Sequence, residues 1–211
     1  MIISIEGNIG SGKSTFIDLL KKHYEDNDNV IFIKEPIDVW NTIKDNECNT
    51  ILQKFYNDPY KYAFSFQFMV FISFIEILKK TIENNPNAII ITERSIETNK
   101  NVFAKMLYDG GFIEDINYKI YLKWFNFFAG DYSVDKIIYI RSNPEVCLDR
   151  VKKRARDGEE LIKIDYLETC DKYHEEFIAG KEKYLVLNGN LDLQDMAGMV
   201  DMVANFITTD I

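Results

Sequence analysis

Five short apolar runs alternate along the chain with longer segments of helical periodicity. The runs cover 2–5, 30–33, 88–92, 136–140 and 184–187. Continuous apolar runs of this length, bounded by polar or turn residues, are typical of strands that are buried on both faces. Their alternation with helical segments predicts an α/β fold with a five-stranded parallel sheet, right-handed crossovers and helices on its flanks.

The segments between these strands carry helical patterns that end at polar or glycine-containing turns. Predicted helices cover 13–24, 49–56, 60–78, 97–108, 114–128, a segment opened by Pro144, 164–177 and a C-terminal segment from Gln194. Within 60–78, one face carries Gln67, Val70, Phe71 and Phe74 at i, i+3, i+4 and i+7. An amide on such an apolar face requires hydrogen-bond partners, and a ligand can supply them.

A glycine-rich loop follows the first predicted strand and precedes the first predicted helix. Its eight residues fit the pattern G-x-x-x-x-G-K-S and are Gly7, Asn8, Ile9, Gly10, Ser11, Gly12, Lys13 and Ser14. In this setting the backbone N–H groups turn inward around a polyphosphate, and the helix directs its positive end at the same point. Lys13 reaches the terminal phosphates, and Ser14 offers a hydroxyl to Mg²⁺. The loop predicts a nucleotide triphosphate site.

Charged side chains follow two other strands. Glu35 comes just after the second strand, and Glu93 and Arg94 end the third. Because ligands bind at the carboxyl ends of parallel strands, these groups are expected on the same edge as the loop. A carboxylate there can help to hold Mg²⁺, and a guanidinium can offset phosphate charge.

A basic segment follows the fourth strand. Its cations are Arg150, Lys152, Lys153, Arg154 and Arg156. Kinases with a phosphate-binding loop place a lid over the transferring phosphates at this point, and Gly158 permits movement. The segment from about 150 to 160 is therefore predicted to be a basic lid.

Composition limits the class of protein. The 211 residues, 46% of them hydrophobic, suit one domain spanning 1–211. A net charge of −9 argues against nucleic-acid binding, so an anionic ligand must meet a local cluster of cations. Three widely spaced cysteines indicate a reducing compartment. The longest apolar run, 64–78, is interrupted by polar residues, and the first strand begins almost at once. We therefore expect a cytoplasmic protein without a membrane segment.

Several motifs together resemble the deoxyribonucleoside kinase family, which includes deoxycytidine, deoxyguanosine and mitochondrial thymidine kinases and the insect multisubstrate enzyme. The resemblance spans nearly the whole chain. It is carried by Ile5 to Thr15, Glu35-Pro36 with Trp40, Tyr56 with Pro59, Phe64 to Gln67, Glu93 to Ile96, and Arg154-Ala155-Arg156 with Glu159. It implies the P-loop kinase fold, a deoxynucleoside substrate, and ATP with Mg²⁺.

The resemblance also implies roles for individual residues at the phosphates. Glu35 would accept the proton of the nucleoside 5′-hydroxyl, with Arg94 beside it and the transferring phosphate. Lys13 and the loop, through Thr15, would hold the donor phosphates. Ser14 and Glu93 would hold Mg²⁺. The lid arginines would be Arg150, Arg154 and Arg156.

The same family pattern assigns the nucleoside pocket. Tyr56 and Glu159 would bond the sugar 3′-hydroxyl, although Gly158 stands where relatives often have Glu, so Glu160 is an alternative. Gln67 would read the base through its amide, which donates and accepts at once. The aromatic side chains packed on the base would be Trp40, Phe66 and Phe103.

Other pocket positions bear on the choice of base. Val70 matches thymidine-accepting relatives, whereas Phe74 replaces an Arg or Met, Asn99 an Asp or Ala, and Lys100 an Arg. Losing a charged Arg–Asp pair removes one polar route to purine selection. We expect a pyrimidine-preferring or broad kinase, with thymidine or deoxycytidine first.

Two other hypotheses remain at this point. A thymidylate-type nucleoside monophosphate kinase shares the loop and lid, but the residues after Glu35-Pro36 lack its glycine-rich turn. A non-catalytic nucleotide-binding subunit of the same fold need not keep base, lid and metal positions together. Family members are commonly dimers, and the aromatic faces of 60–78 and 113–128 suit a homodimer.

Overall fold

A parallel sheet of five strands lies at the centre of the molecule. The structure, a computed structural model, describes residues 1–209. The strands are β1 (Ile2–Glu6), β2 (Val30–Ile33), β3 (Ile89–Glu93), β4 (Lys136–Arg141) and β5 (Tyr184–Asn188). Their order across the sheet is β2-β3-β1-β4-β5, and every pairing is parallel. The predicted α/β fold is confirmed, and each strand lies within one or two residues of its predicted position.

Helices cover both faces of the sheet. In chain order they are α1 (Lys13–His23), α2 (Ile37–Trp40), α3 (Ile51–Asn57), α4 (Pro59–Asn84), α5 (Ile96–Thr98), α6 (Lys105–Asp109), α7 (Asp115–Phe128), α8 (Pro144–Arg154), α9 (Ile164–Ala179), α10 (Leu193–Ala197) and α11 (Val200–Thr208). Local chemistry sets several starts. Thr50 and Gln53 form a capping box before α3, and Asp58 caps α4 with Pro59 at its first position.

Four segments differ from the predicted helices. The 97–108 segment has a π-helical stretch at 99–104 between α5 and α6, where the Lys105 N–H donates to the Lys100 carbonyl. The helix opened by Pro144 ends at Arg154 because Ala155 adopts a left-handed φ of 47°. The C-terminal segment forms two helices instead of one. The four-residue α2 was not predicted because it is too short for a periodic pattern.

The core lies on both sides of the sheet. On one side, Phe16 and Leu20 of α1 pack with Val203 of α11 against β1 and β4. On the other side, Phe71 of α4 stacks on Phe125 of α7, with ring centroids 5.3 Å apart. By length and composition, α4 is the one helix within 1–209 that could cross a membrane, a test that core helices of soluble proteins also pass.

We predict that Phe71→Ala destabilises the fold by about 3–5 kcal/mol, because truncating a buried aromatic ring leaves a cavity. Phe71 is fully buried and contacts both Tyr121 and Phe125. Urea denaturation followed by circular dichroism measures the change. The control is Met202→Ala on α11, a residue that is 45% exposed. Equal stability of the Phe71 and Met202 variants would contradict this account of the core.

Candidate active site

The glycine-rich loop curls at the carboxyl end of the central strand β1. Its conformation requires glycine, since Gly10 has a φ of 80° and a Cβ there would lie 2.4 Å from the Cys147 carbonyl oxygen. The neighbouring elements anchor the loop from outside. Asn8 Nδ2 donates to the Leu167 carbonyl at 2.8 Å, and Ser142 Oγ donates to the Ser11 carbonyl at 3.0 Å. The loop is therefore a preformed cradle.

Lys13 lies inside this cradle. Its Nζ donates to the carbonyl oxygens of Asn8 at 2.7 Å and Gly7 at 3.1 Å. Burial lowers the pKa of Lys13 to about 8, and the nearby Arg94 charge acts in the same direction, while Glu93 and Glu35 oppose it. An anionic phosphate would favour the charged ammonium.

Ser14 and Glu93 meet at the first turn of α1. Ser14 Oγ donates to Glu93 Oε1 at 2.5 Å. No cluster of three His, Cys, Asp or Glu side chains placed to hold a metal ion occurs within residues 1–209. One hydroxyl and one carboxylate suit Mg²⁺, which is commonly held by one or two protein oxygens together with phosphates and water. The donor set fits the predicted ion.

Glu35 and Arg94 form an ion pair across the ends of β2 and β3. The guanidinium donates to Glu35 Oε1 through Nη1, and Nη2 lies 3.4 Å from the Gly7 carbonyl oxygen. Arg94 has a left-handed φ of 60°, uncommon outside glycine, and its backbone N–H donates to Ile5 at 2.9 Å. Strained backbone of this kind clusters at functional sites.

The carboxyl group of Glu35 is held in its ionised form. Burial acts to raise its pKa, but the charges of Arg94 and Lys13 outweigh that effect and hold the pKa of Glu35 below its usual range. Glu35 is thus a proton acceptor at neutral pH.

A single cleft of about 580 Å³ brings the predicted site residues together. Gly7, Asn8 and Ser11 belong to the loop but do not line the cleft. Predicted residues that do line it are Ile9, Gly10, Gly12, Lys13, Ser14, Thr15, Glu35, Trp40, Tyr56, Phe66, Gln67, Val70, Phe74, Glu93, Arg94, Asn99, Phe103, Arg150, Arg154, Arg156 and Glu159.

Aromatic side chains shape the end of the cleft away from the loop. Phe66 stacks on Phe55 with centroids 4.8 Å apart and meets Trp40 edge-on at 5.9 Å. The Trp40 indole N–H donates to Ser73 Oγ at 2.9 Å, which fixes the ring. Phe103 also lines the cleft, and its ring centroid lies 5.0 Å from the Arg94 guanidinium carbon. A flat ring fits such walls.

Two amides meet at this aromatic end. Asn99 Nδ2 donates to Gln67 Oε1 at 2.7 Å, and the Tyr121 hydroxyl donates to Asn99 Oδ1 at 2.5 Å. The amide of Gln67 therefore has one protein partner, Asn99, and also lines the cleft. Phe71, predicted on the same face as Gln67, packs into the core beside α7.

Two arginines of the basic segment bind a carboxylate of the same segment. Arg154 and Arg156 both donate to Glu159, which is 5% exposed, whereas Glu160 is exposed. The structure thus places Glu159 rather than Glu160 at the cleft. Arg150 donates to the carbonyls of Ser11, Gly189 and Leu191, so its guanidinium also ties the loop to the end of β5.

Sequence patterns alone did not identify several residues that line the cleft. They are Ile37, Leu52, Phe55, Ser95, Ile96, Tyr166, Leu191, Asp192 and Met196. Most are apolar residues on helices, where a residue that lines a cleft has the same pattern as one in the core. Tyr166 packs edge-on to Tyr56 at 6.2 Å, a contact between α9 and α3 that only the tertiary fold creates.

Comparison with known proteins gives a consistent result. A deoxynucleoside kinase family model matches residues 3–209. A probable deoxycytidine kinase of fowlpox virus is 36% identical, over 92% of this chain and 80% of its own. Deoxycytidine kinase 2 of Gallus gallus is 31% identical, over 98% and 90%.

The mitochondrial deoxyguanosine kinase of Xenopus laevis is 30% identical, over 85% of this chain and 73% of its own length. These matches favour the nucleoside kinase hypothesis over the monophosphate kinase alternative. The chain belongs to the deoxynucleoside kinase family.

Proposed function

We propose that this deoxynucleoside kinase transfers the γ-phosphate of ATP to the 5′-hydroxyl of a pyrimidine deoxynucleoside, with Glu35 as the base. The observation that carries the proposal is the Glu35–Arg94 pair, which lines the same cleft as the phosphate loop and the aromatic pocket. A sugar hydroxyl between them would have a proton acceptor on one side and a phosphate on the other.

Glu35 supplies the proton transfer. Its low pKa keeps it ionised, and Arg94 holds one carboxylate oxygen, leaving the other for the 5′-hydroxyl. Because phosphoryl transfer depends chiefly on positioning and charge stabilisation, a weakly basic carboxylate is sufficient. Arg94 Nε is buried without a hydrogen-bond partner among residues 1–209, so the guanidinium retains capacity for a phosphate oxygen.

The loop and lid suit the phosphates of ATP. The loop around Lys13 is preformed, and Ile9, Gly10, Gly12, Ser14 and Thr15 line the cleft where a polyphosphate would lie. Lys13 and the loop N–H groups hold the phosphates, and Arg150, Arg154 and Arg156 line the same cleft. Ser14 and Glu93 would hold Mg²⁺, which neutralises phosphate charge when it is bound.

The other end of the cleft suits a pyrimidine deoxynucleoside. Tyr56 is assigned to the sugar 3′-hydroxyl with Glu159, and burial raises the pKa of Tyr56, which keeps its hydroxyl protonated as a donor. Trp40, Phe66 and Phe103 enclose the base, and the bulk of buried Phe74 opposes a purine. Thymidine or deoxycytidine is the expected preferred substrate.

The composition of the chain supports proposals about its partners and its cellular compartment. The acidic charge disfavours nucleic acid as a partner, and three free cysteines suit the cytoplasm.

One face of α7 leaves apolar side chains in solvent, with Ile116 61% and Phe127 72% exposed. Ile120 and Trp124 lie between them at helical spacing, so the four residues form one stripe. We propose that this stripe is the homodimer interface and that the enzyme is soluble.

We predict that Glu35→Gln lowers kcat by about 10²–10⁴-fold, because an amide cannot accept the hydroxyl proton. The KM for deoxynucleoside is expected to change far less, since size and polarity are kept. A coupled assay with ATP, Mg²⁺ and the four deoxynucleosides measures both constants. Asp38→Asn, an exposed carboxylate three residues away, is the matched control and is expected to leave them unchanged. Wild-type turnover by the Glu35 variant would exclude Glu35 as the base.

We predict that kcat/KM for ATP falls above pH 8. The charged ammonium of Lys13 holds phosphate and predominates below its pKa of about 8. As pH rises through that value the proton is lost, and kcat/KM declines toward about tenfold per pH unit. Bound ATP favours the charged form, so kcat declines less.

The matched variant for this pH test is Lys13→Arg, which stays charged throughout the range. Its kcat/KM is expected to be lower overall but without the decline above pH 8. A wild-type profile that remains flat between pH 7 and pH 10 would rule out the assigned role of Lys13 titration.

We predict that wild-type protein sediments as a dimer and that Phe127→Glu sediments as a monomer. The substitution puts a charge on the most exposed side chain of the apolar stripe but costs the isolated fold little, because this side chain is in solvent. Analytical ultracentrifugation at micromolar concentration measures the state. Met202→Glu, an exposed apolar residue on α11, is expected to remain dimeric. A dimeric Phe127 variant would place the interface elsewhere.

A further inference from the structure

A chain of three hydrogen-bonded side chains runs from the core to the nucleoside end of the cleft. Tyr121 of α7 is 1% exposed and does not line the cleft, whereas Asn99 and Gln67 do. The Tyr121 hydroxyl lies 2.5 Å from Asn99 Oδ1, and Asn99 Nδ2 lies 2.7 Å from Gln67 Oε1. Tyr121 has no role in the phosphate loop or in the Glu35–Arg94 pair described above.

The direction of these bonds follows from the donors and acceptors available. Within residues 1–209, Asn99 is the one hydrogen-bond partner of the Tyr121 hydroxyl. A buried hydroxyl needs an acceptor for its proton, so Asn99 must turn its oxygen toward Tyr121. Its Nδ2 group then faces Gln67, which must present Oε1. One phenolic proton therefore sets the orientation of both amides.

Packing prevents the tyrosine from moving away. Its ring lies parallel to that of Tyr118 at 6.3 Å and is packed against Phe71 at 5.7 Å. Asn99 is fixed through its backbone, since its N–H donates to the Ser95 carbonyl at 3.2 Å where the π-helical stretch begins. Both ends of the first hydrogen bond thus belong to rigid elements.

The orientation decides what the cleft offers to a base. Asn99 has used its oxygen on Tyr121 and one N–H on Gln67, so a second N–H remains for a ligand. At this position Asn99 therefore presents an N–H donor, while its oxygen accepts from Tyr121. A keto oxygen can accept from that N–H, whereas an amino group placed there would leave two donors facing each other.

We propose that Tyr121 is a specificity-determining positioning residue, which fixes the Asn99 and Gln67 amides so that the cleft prefers a keto pyrimidine to an amino pyrimidine. The inference rests on the proposed function and narrows its substrate to thymidine or deoxyuridine ahead of deoxycytidine. Tyr121 acts through the two amides and does not itself touch the nucleoside.

The test compares Tyr121→Phe with wild type by the ratio of kcat/KM for thymidine to kcat/KM for deoxycytidine. The wild-type ratio is expected to exceed one. In the variant the Asn99 amide is free to turn over, and the ratio falls at least about fivefold, the lower range for leaving a buried polar group unpaired. A purely structural role would lower both efficiencies and leave the ratio unchanged.

Tyr118→Phe is the matched control. Tyr118 lies one turn earlier on α7 and stacks on Tyr121, but its hydroxyl makes no hydrogen bond within residues 1–209. The ratio of kcat/KM for thymidine to kcat/KM for deoxycytidine is expected to be the same in Tyr118→Phe as in wild type. A thermal melt of each variant confirms that the fold is retained.

Asn99→Asp provides a second test that does not depend on the tyrosine variant. A carboxylate accepts from Tyr121 and presents an oxygen, in place of the Nδ2 group, toward Gln67 and the cleft. The donor at this position becomes an acceptor, so the preference is expected to invert toward deoxycytidine. An unchanged ratio in both variants, or a wild-type preference for deoxycytidine, would overturn the inference while leaving the kinase function intact.

Binding measurements distinguish a failure of the proposed kinase function from a failure of the inference about Tyr121. If wild-type protein phosphorylates none of the four deoxynucleosides, the proposed function fails. Calorimetric titration with thymidine and with deoxycytidine, without ATP, then tests the inference alone. Tighter binding of thymidine that is lost in Tyr121→Phe supports it, and equal binding of the two nucleosides contradicts it.

Discussion

The site depends on one buried ion pair, Glu35 with Arg94, which joins the ends of two neighbouring strands. Burying two charges carries a desolvation penalty that a single contact offsets only with good geometry and further hydrogen bonds. Here the Arg94 guanidinium also approaches the Gly7 carbonyl oxygen. The Arg94 backbone N–H donates to the Ile5 carbonyl oxygen, which holds the residue in place although its φ is left-handed. The strand order β2-β3-β1 brings these pieces together, so the sheet topology and the chemistry cannot be separated.

An acidic protein that binds polyphosphate must gather its cations in one place. The cleft does so with Lys13, Arg94, Arg150, Arg154 and Arg156, and each has oxygen partners in the protein. Glu35 and Glu159 hold three of the guanidinium groups, while backbone carbonyls hold the other two cations. Such partners fix side chains before a ligand arrives, which reduces the entropy lost on binding. The net charge of −9 is therefore compatible with a cleft that gathers five cationic side chains.

Sequence patterns predicted the sheet and the glycine-rich loop because each strand and the loop consist of consecutive residues. A buried strand is a short apolar run, and the loop is a contiguous motif whose glycines meet a local steric demand. The end of the cleft away from the loop draws on α3, α4, α7 and α9, so its contacts join residues far apart in the chain. Tyr121 has the same helical spacing as any core aromatic residue. Its hydrogen bond to Asn99 depends on the π-helical stretch at 99–104, for which no sequence signal was evident.

The two ends of the cleft also differ in how strongly they can discriminate. The end of the cleft at the phosphate loop carries full charges. A buried charge without a partner there costs several kcal/mol more than a paired one. The other end of the cleft carries neutral amides and aromatic walls. An unpaired neutral polar group costs about 1–3 kcal/mol, which corresponds to roughly 5- to 150-fold in selectivity. A cleft built in this way would demand a triphosphate and an ionised Glu35 absolutely, yet choose among bases by degree. The orientation of two amides, rather than charge, then becomes the main means by which the fold can tune its choice of nucleoside.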